Sequence, residues 1–157
     1  MTEEAAAEDF QNTILRLLHG HDWMVLRVSD EADELAWSYT IGLWERFGHP
    51  ELIAIGLPED TAHDILNIAG EAISGGTVFR SEDLCDQLAV GVPMKMTATS
   101  PRVVWDFVQA ARWYYLEHRK EDEPPPFLQC VWPDRNGKFP SEPGWGETQG
   151  WPQPILN

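Results

Sequence analysis

The hydrophobic period changes repeatedly along the 157 residues, and this alternation constrains the fold more than any other feature. Phe10, Ile14, Leu17 and Leu18 recur at i, i+4, i+7 and i+8, the single apolar stripe of a surface helix. Asp9 is placed to cap that helix and Gly20 to end it in the left-handed conformation, with residues 1–8 frayed ahead of it. The period then falls to two. Trp23–Val28 is a mostly apolar run, and Leu35, Trp37, Tyr39 and Ile41 alternate with Ala36, Ser38, Thr40 and Gly42. These read as an antiparallel hairpin across the acidic stretch Ser29–Glu34, its second strand half buried with a small-residue face.

Leu52–Gly56 predicts a third strand, and Pro58, Glu59 and Asp60 open a helix whose buried face is Ala62, Ile65, Leu66, Ala69, Ala72 and Ile73. Gly75-Gly76 stops it. A strand over Leu88–Thr97 carries Pro93, the mark of an edge or a bulge, and would complete a right-handed crossover with the third strand. Ser100-Pro101 opens what reads as the longest helix, with two adjacent stripes, Val103, Phe107, Ala110, Tyr114 and Val104, Val108, Ala111, Tyr115. Glu121–Pro126 is a stiff linker, Phe127–Trp132 a last strand, and Asn136-Gly137 a tight turn. Residues 140–157 form an irregular tail that Trp145, Trp151, Ile155 and Leu156 would dock on the body. The fold class is α+β in one domain, 1–157: a mixed, mainly antiparallel sheet of about five strands with about three helices packed on it.

Eleven Lys and Arg against 26 Asp and Glu leave a net charge of −15. Residues 1–100 hold 5 basic and 18 acidic residues, a net −13. Such a surface repels phosphate backbones and anionic lipid, so neither nucleic acid nor membrane is an expected partner. It attracts basic proteins and speeds encounter with them. No apolar run reaches the ~18 residues of a membrane span. Cys85 and Cys130 lie far apart outside any C-x-x-C pair, which reads as two reduced thiols in a cytoplasmic protein.

The densest polar cluster is Trp44–Leu52, read as a loop between two strands. Chemically, His49 would be a general base, Arg46 an oxyanion binder and Glu51 the group that orients His49. Structurally, Gly48 and Pro50 shape a turn, Arg46 pairs with Glu45 or Glu51, and His49 caps a strand. The segment holds no nucleophile, so the structural reading is preferred; on it Arg46→Ala should cost more stability than His49→Ala. Cys85 sits among acids that raise a thiol pKa, Cys130 lies in an apolar strand, and neither reads as catalytic. His19 and His21 alone are closely spaced, with no H-E-x-x-H or paired-cysteine motif, so neither metal nor cofactor is expected. Trp105, Arg112, Trp113, Trp145 and Trp151 form a second, aromatic candidate surface, although aromatics at helical spacing more often belong to a core.

Tyr39-Thr40, Gly42-Leu43, Arg46–Glu51, Leu57-Pro58, and Gln129, Trp132-Pro133-Asp134, Gly137 and Phe139-Pro140 together resemble the domain-of-unknown-function family 4262 of bacteria and phages. The likeness runs from about His19 to the C-terminus. It implies a single cytoplasmic domain and a shared surface, and carries no established activity. The segment at Tyr39–Leu43 also resembles suppressor-of-fused-like domains, some of which neutralise toxins.

Two functions follow as expectations. One is a small acidic interaction module that binds and blocks a protein partner, as an immunity protein or an inhibitor of a host factor does; a homo-oligomer is compatible with it. The other is an enzyme or small-ligand binder with a pocket around Tyr39, Arg46, His49, Glu51 and Gln129, with Trp132 and Asp134 as further functional-surface candidates. The absence of a recognisable catalytic set favours the first. Convergence of those side chains on one concave site would favour the second.

Overall fold

The structure, a computed structural model, describes residues 2–30, 35–140, 142–146 and 153–157. Among them six strands form one mixed sheet: β1 (Met24–Asp30), β2 (Leu35–Ile41), β3 (Glu51–Ile55), β4 (Leu84–Ala89), β5 (Val92–Ala98) and β6 (Phe127–Val131). The order is β1-β2-β3-β6-β5-β4. Every pairing is antiparallel except β3 with β6. The α+β class and the mainly antiparallel sheet agree with the sequence, and the sheet has one strand more than expected.

The extra strand comes from Leu88–Thr97. Gly91, at φ +72°, turns the chain so that Ala89 pairs with Val92, and the segment divides into the β4–β5 hairpin. Pro93 lies in β5 beside a register shift between Cys85 and Ala89. The parallel partner of β3 is therefore β6 rather than this segment, and the crossover spans α3 (Glu59–Ser74), the whole hairpin and the helical segment 101–118.

Helices cover both faces of the sheet. On one face α3 packs Ile65, Leu66, Ala69 and Ile73 against Leu52, Ala54, Met94, Met96, Leu128 and Cys130. Trp23 lies against this helix at Gly70, where a Cβ would stand 2.5 Å from the indole ring. On the other face α1 (Glu3–Gly20), α4 (Pro101–Val104), α5 (Gln109–Arg112) and a π-helical turn (Trp113–His118) cover Tyr39, Ile41, Ile53, Ile55 and Phe127. Strand β2 is thus covered on both sides: Ser38 and Thr40, on its small-residue face, are as buried as Tyr39 and Ile41. The expected half-buried strand is a central one at this end.

Helix α1 begins before the apolar stripe. Thr2 caps it by accepting from the Ala5 N–H, so Asp9 is an interior residue, and His21 follows Gly20 in extended conformation. The expected long helix from Pro101 is broken. Helix α4 ends at Val104, and Val108 leaves helical geometry at φ −122°, ψ 47°. Side chains of β2 satisfy the groups the break releases. Trp37 Nε1 donates to the Phe107 carbonyl at 2.8 Å, and Tyr39 Oη accepts from the Ala110 N–H at 3.2 Å.

Beyond β6 the chain returns to the sheet. The Gln153 side chain bonds both the N–H and the carbonyl of Trp132, each at 2.9 Å. Gln129 reciprocates, donating to the Pro154 carbonyl and accepting from the Leu156 N–H. Trp145 is half-buried; Trp151, expected to dock, falls outside the described residues. Deleting residues 153–157 would strand the buried Gln129 amide and remove the two Gln153 bonds to Trp132. Each buried group left unpaired costs about 1–3 kcal/mol, so a melting temperature lower by roughly 5–10 °C is expected in calorimetry. An unchanged transition would show that these contacts contribute nothing.

Candidate functional site

The segment Trp44–Leu52 is not a loop. A short helix, α2 (Leu43–Phe47), follows β2 and ends at Gly48 in the left-handed conformation, its N–H on the Trp44 carbonyl; β3 starts at Glu51. Gly42 makes the corner at φ +122°, and a Cβ there would meet the Asp22 carbonyl at 2.5 Å. The three ionisable residues of the segment consequently point to three different places.

Glu51 is fully buried at the start of α2. Its Oε1 accepts from the N–H groups of Leu43 (2.7 Å) and Trp44 (3.3 Å) and from the Thr40 hydroxyl; its Oε2 accepts from the Gly42 N–H at 2.9 Å and from the Tyr115 hydroxyl. This single carboxyl group takes the donors that a helix start leaves free. Burial pushes it up to about 8, although these backbone donors and Tyr115 pull the other way. The Tyr115 hydroxyl is itself pushed up, first by burial and then by Glu51, and remains a donor.

His49 is also buried, and it faces away from Glu51. Its Nδ1 lies 2.8 Å from the Pro50 carbonyl and its Nε2 accepts from the Phe79 N–H at 3.0 Å. The ring is therefore neutral with its proton on Nδ1, and burial holds its pKa below the ordinary value. Glu51 does not orient it. Arg46 pairs with neither Glu45 nor Glu51. It is half exposed, and its Nη1 lies 3.9 Å from Asp22. Glu45 instead bonds Arg119 at 2.6 Å and the Tyr114 hydroxyl.

The remaining candidates are also engaged with the backbone. The Tyr39 hydroxyl, raised by burial, serves the break before α5. Gln129 and Trp132 come together on the chain at residues 153–156. Asp134 closes its own turn, accepting from the N–H groups of Asn136, Lys138 and Gly146; the Gly146 and Lys138 donors hold it below the usual carboxylate range. Trp132 and Asp134 share the lining of a cavity of about 380 Å³ with Leu57, Ile65 and Met94. Tyr39, Arg46, His49, Glu51 and Gln129 share no cavity among those described.

The matching family is described as Domain of unknown function (DUF4262), and the match spans residues 18–146. This chain belongs to that family. No match was found among curated proteins, and none among solved structures. The motif residues of this family member are thus, in their geometry, its corner-makers: Gly42, His49, Glu51, Gln129 and Asp134 each hold backbone.

The sequence offered no sign of two residues that matter to this region. Tyr115, the partner of Glu51, lies 64 positions away on a segment that reads as plain core. Asp22, the partner of Arg46, sits in the bend after α1. Arg46, Asp22, His19, His21 and Asn67 line a polar depression of about 430 Å³. Of the aromatic candidates, Arg112 lies over the Trp105 ring at 5.7 Å, while Trp113 packs against Tyr114 and His118. Both thiols are buried and unpaired. Burial and then Asp83 and Asp86 raise Cys85, and burial pushes Cys130 up to about 12. No helix among the described residues is long and apolar enough to cross a membrane.

Proposed function

We propose that this chain is a small acidic interaction module that binds a basic protein partner and neutralises or inhibits it, in the manner of an immunity protein or a phage inhibitor of a host factor. One observation carries the reading. The polar side chains that would have formed a catalytic or ligand pocket are dispersed, and all but Arg46 are occupied in fixing the chain's own backbone. Acidic residues are prominent among the exposed ones. Helix α3 carries Glu59, Asp60, Asp64 and Glu71, all exposed, with no Lys or Arg. The net −15 disfavours nucleic acid and anionic lipid and favours fast encounter with a basic protein. The buried, unpaired thiols suit a reducing cytoplasm.

Affinity capture from extract of the native host tests this reading. The chain should retain a basic protein in stoichiometric amount at about 0.1 M salt and release it near 1 M, where the screening length falls to about 3 Å. The variant Glu8→Gln/Asp9→Asn/Asp106→Asn, whose three acids are all exposed, should retain less. Capture of an acidic protein unaffected by salt, or of none, would refute the reading.

A further inference from the structure

On the face of the sheet opposite α3, α1 and the 101–118 segment stand apart above β1 and β2. The space between them is a groove of about 690 Å³ lined by Phe10, Leu26, Val28, Trp37, Asp106 and Phe107. Phe10 belongs to the apolar stripe of α1 and yet is 46% exposed. Val28, Trp37 and Phe107 are half-buried. The groove wall is also where the chain from Pro101 breaks. Trp37 meets Phe107 edge to face at 4.9 Å and holds its carbonyl, and Tyr39 holds the start of α5. The aromatic floor is therefore fixed by hydrogen bonds before any partner arrives, which lowers the ordering cost of binding.

The rim is acidic. Asp106 lines the groove and is exposed, and the half of α1 around Phe10 carries exposed Glu3, Glu4, Glu8 and Asp9 with no Lys or Arg. The one cation in the lining, Arg27, has its Nε 3.8 Å from Glu59 of α3. A second copy of this chain would bring another −15 to this rim, so self-association is not the fit.

We infer that this groove seats the apolar face of a basic amphipathic helix from a protein partner. A slot between two helical walls over a sheet takes helical anchors at i, i+3 and i+4, and the acidic rim pairs with Lys or Arg flanking them. The inference rests on the proposed binding of a basic partner and adds where that partner docks and in what form.

The test is titration of the full chain, followed by amide and indole NMR shifts, with three synthetic peptides: an amphipathic Leu/Lys helix, a scrambled Leu/Lys sequence, and a Leu/Glu helix of the first pattern. The Leu/Lys helix should shift the Trp37 indole N–H and the amides of Phe10, Val28 and Phe107, and bind about tenfold tighter than the scrambled peptide. Phe10→Ser should weaken it about tenfold, and Asp106→Lys should weaken it while admitting the Leu/Glu helix. Both residues are exposed enough for the variants to keep the wild-type circular dichroism. No saturable binding, equal affinity for the scrambled peptide, or affinity unchanged by Phe10→Ser would overturn the groove assignment. Salt-sensitive capture of a basic partner would then still stand as a separate result. Equal binding of the Leu/Glu and Leu/Lys helices would sink both.

Discussion

Glu51→Ala is expected to lower the stability of the protein by at least about 4 kcal/mol, enough to leave it largely unfolded if its total stability is ordinary. The substitution removes the common acceptor of the Gly42, Leu43 and Trp44 N–H groups and of the Tyr115 hydroxyl, at a carboxyl that is fully buried. Helix α2 and the corner at Gly42 would lose what holds them to β3. Glu51→Gln separates charge from hydrogen bonding. The amide keeps one acceptor oxygen and sets an NH₂ against one side of the donor ring, so near pH 5 it should cost about 1–2 kcal/mol.

The difference between these two side chains should depend on pH. The native Glu51 carboxyl lies near 8, raised from an ordinary value of 4.5. The folded state therefore favours its protonated form more than the unfolded chain does. Its contribution is full below about 4.5 and is lost as pH rises through about 8. Glutamine does not titrate. Urea unfolding at about pH 5 and pH 8 should show wild type the more stable at the lower pH, with the advantage gone or reversed at the higher. A wild-type-minus-Gln difference constant across this range would show that burial does not raise the carboxyl.

The sequence carries the elements whose period is unambiguous. The hairpin of β1 and β2, helix α3 and strand β6 lie close to where alternation and the 3.6-residue stripe place them. Several of its failures come from partners distant in sequence, whereas the division of Leu88–Thr97 at Gly91 is local. The 101–118 stripe is continuous and reads as one helix, because nothing local reveals that Trp37 and Tyr39 will stabilise a break at Phe107–Val108. The small face of β2 reads as half-exposed, because the helix that covers it follows the strand by some twenty residues. The candidate site fails in the same way. Arg46, His49 and Glu51 are neighbours in sequence, but the Gly48 corner and the strand alternation at Glu51 send them to three surroundings. The segment is legible as a dense polar cluster; which group each side chain holds is visible only with Tyr115, Phe79 and Asp22 in place.

His49→Ala is expected to cost about 2–4 kcal/mol, and Arg46→Ala to stay within about 0.5 kcal/mol of wild type, the reverse of the order that a turn held by Arg46 would give. The His49 ring is buried against Phe79, its Nε2 is the acceptor of the Phe79 N–H, and its Nδ1 proton serves the Pro50 carbonyl. Alanine leaves a cavity and an unpaired buried N–H together. Arg46 offers only a half-exposed guanidinium 3.9 Å from a half-exposed Asp22, a pairing that solvent screens. Protonation supplies an independent check. A second proton would have to enter at Nε2, opposite the Phe79 N–H, so the fold favours the neutral ring and its pKa lies below the usual 6.5. A lowered histidine contributes stability above its unfolded value, and that contribution is lost as pH falls through the native one. The gap between wild type and His49→Ala should therefore narrow as the medium is acidified below about pH 6.5, while the Arg46→Ala gap stays near zero throughout. If Arg46→Ala instead proved the more damaging of the two by denaturant unfolding, the guanidinium would have to hold something in solution other than Asp22.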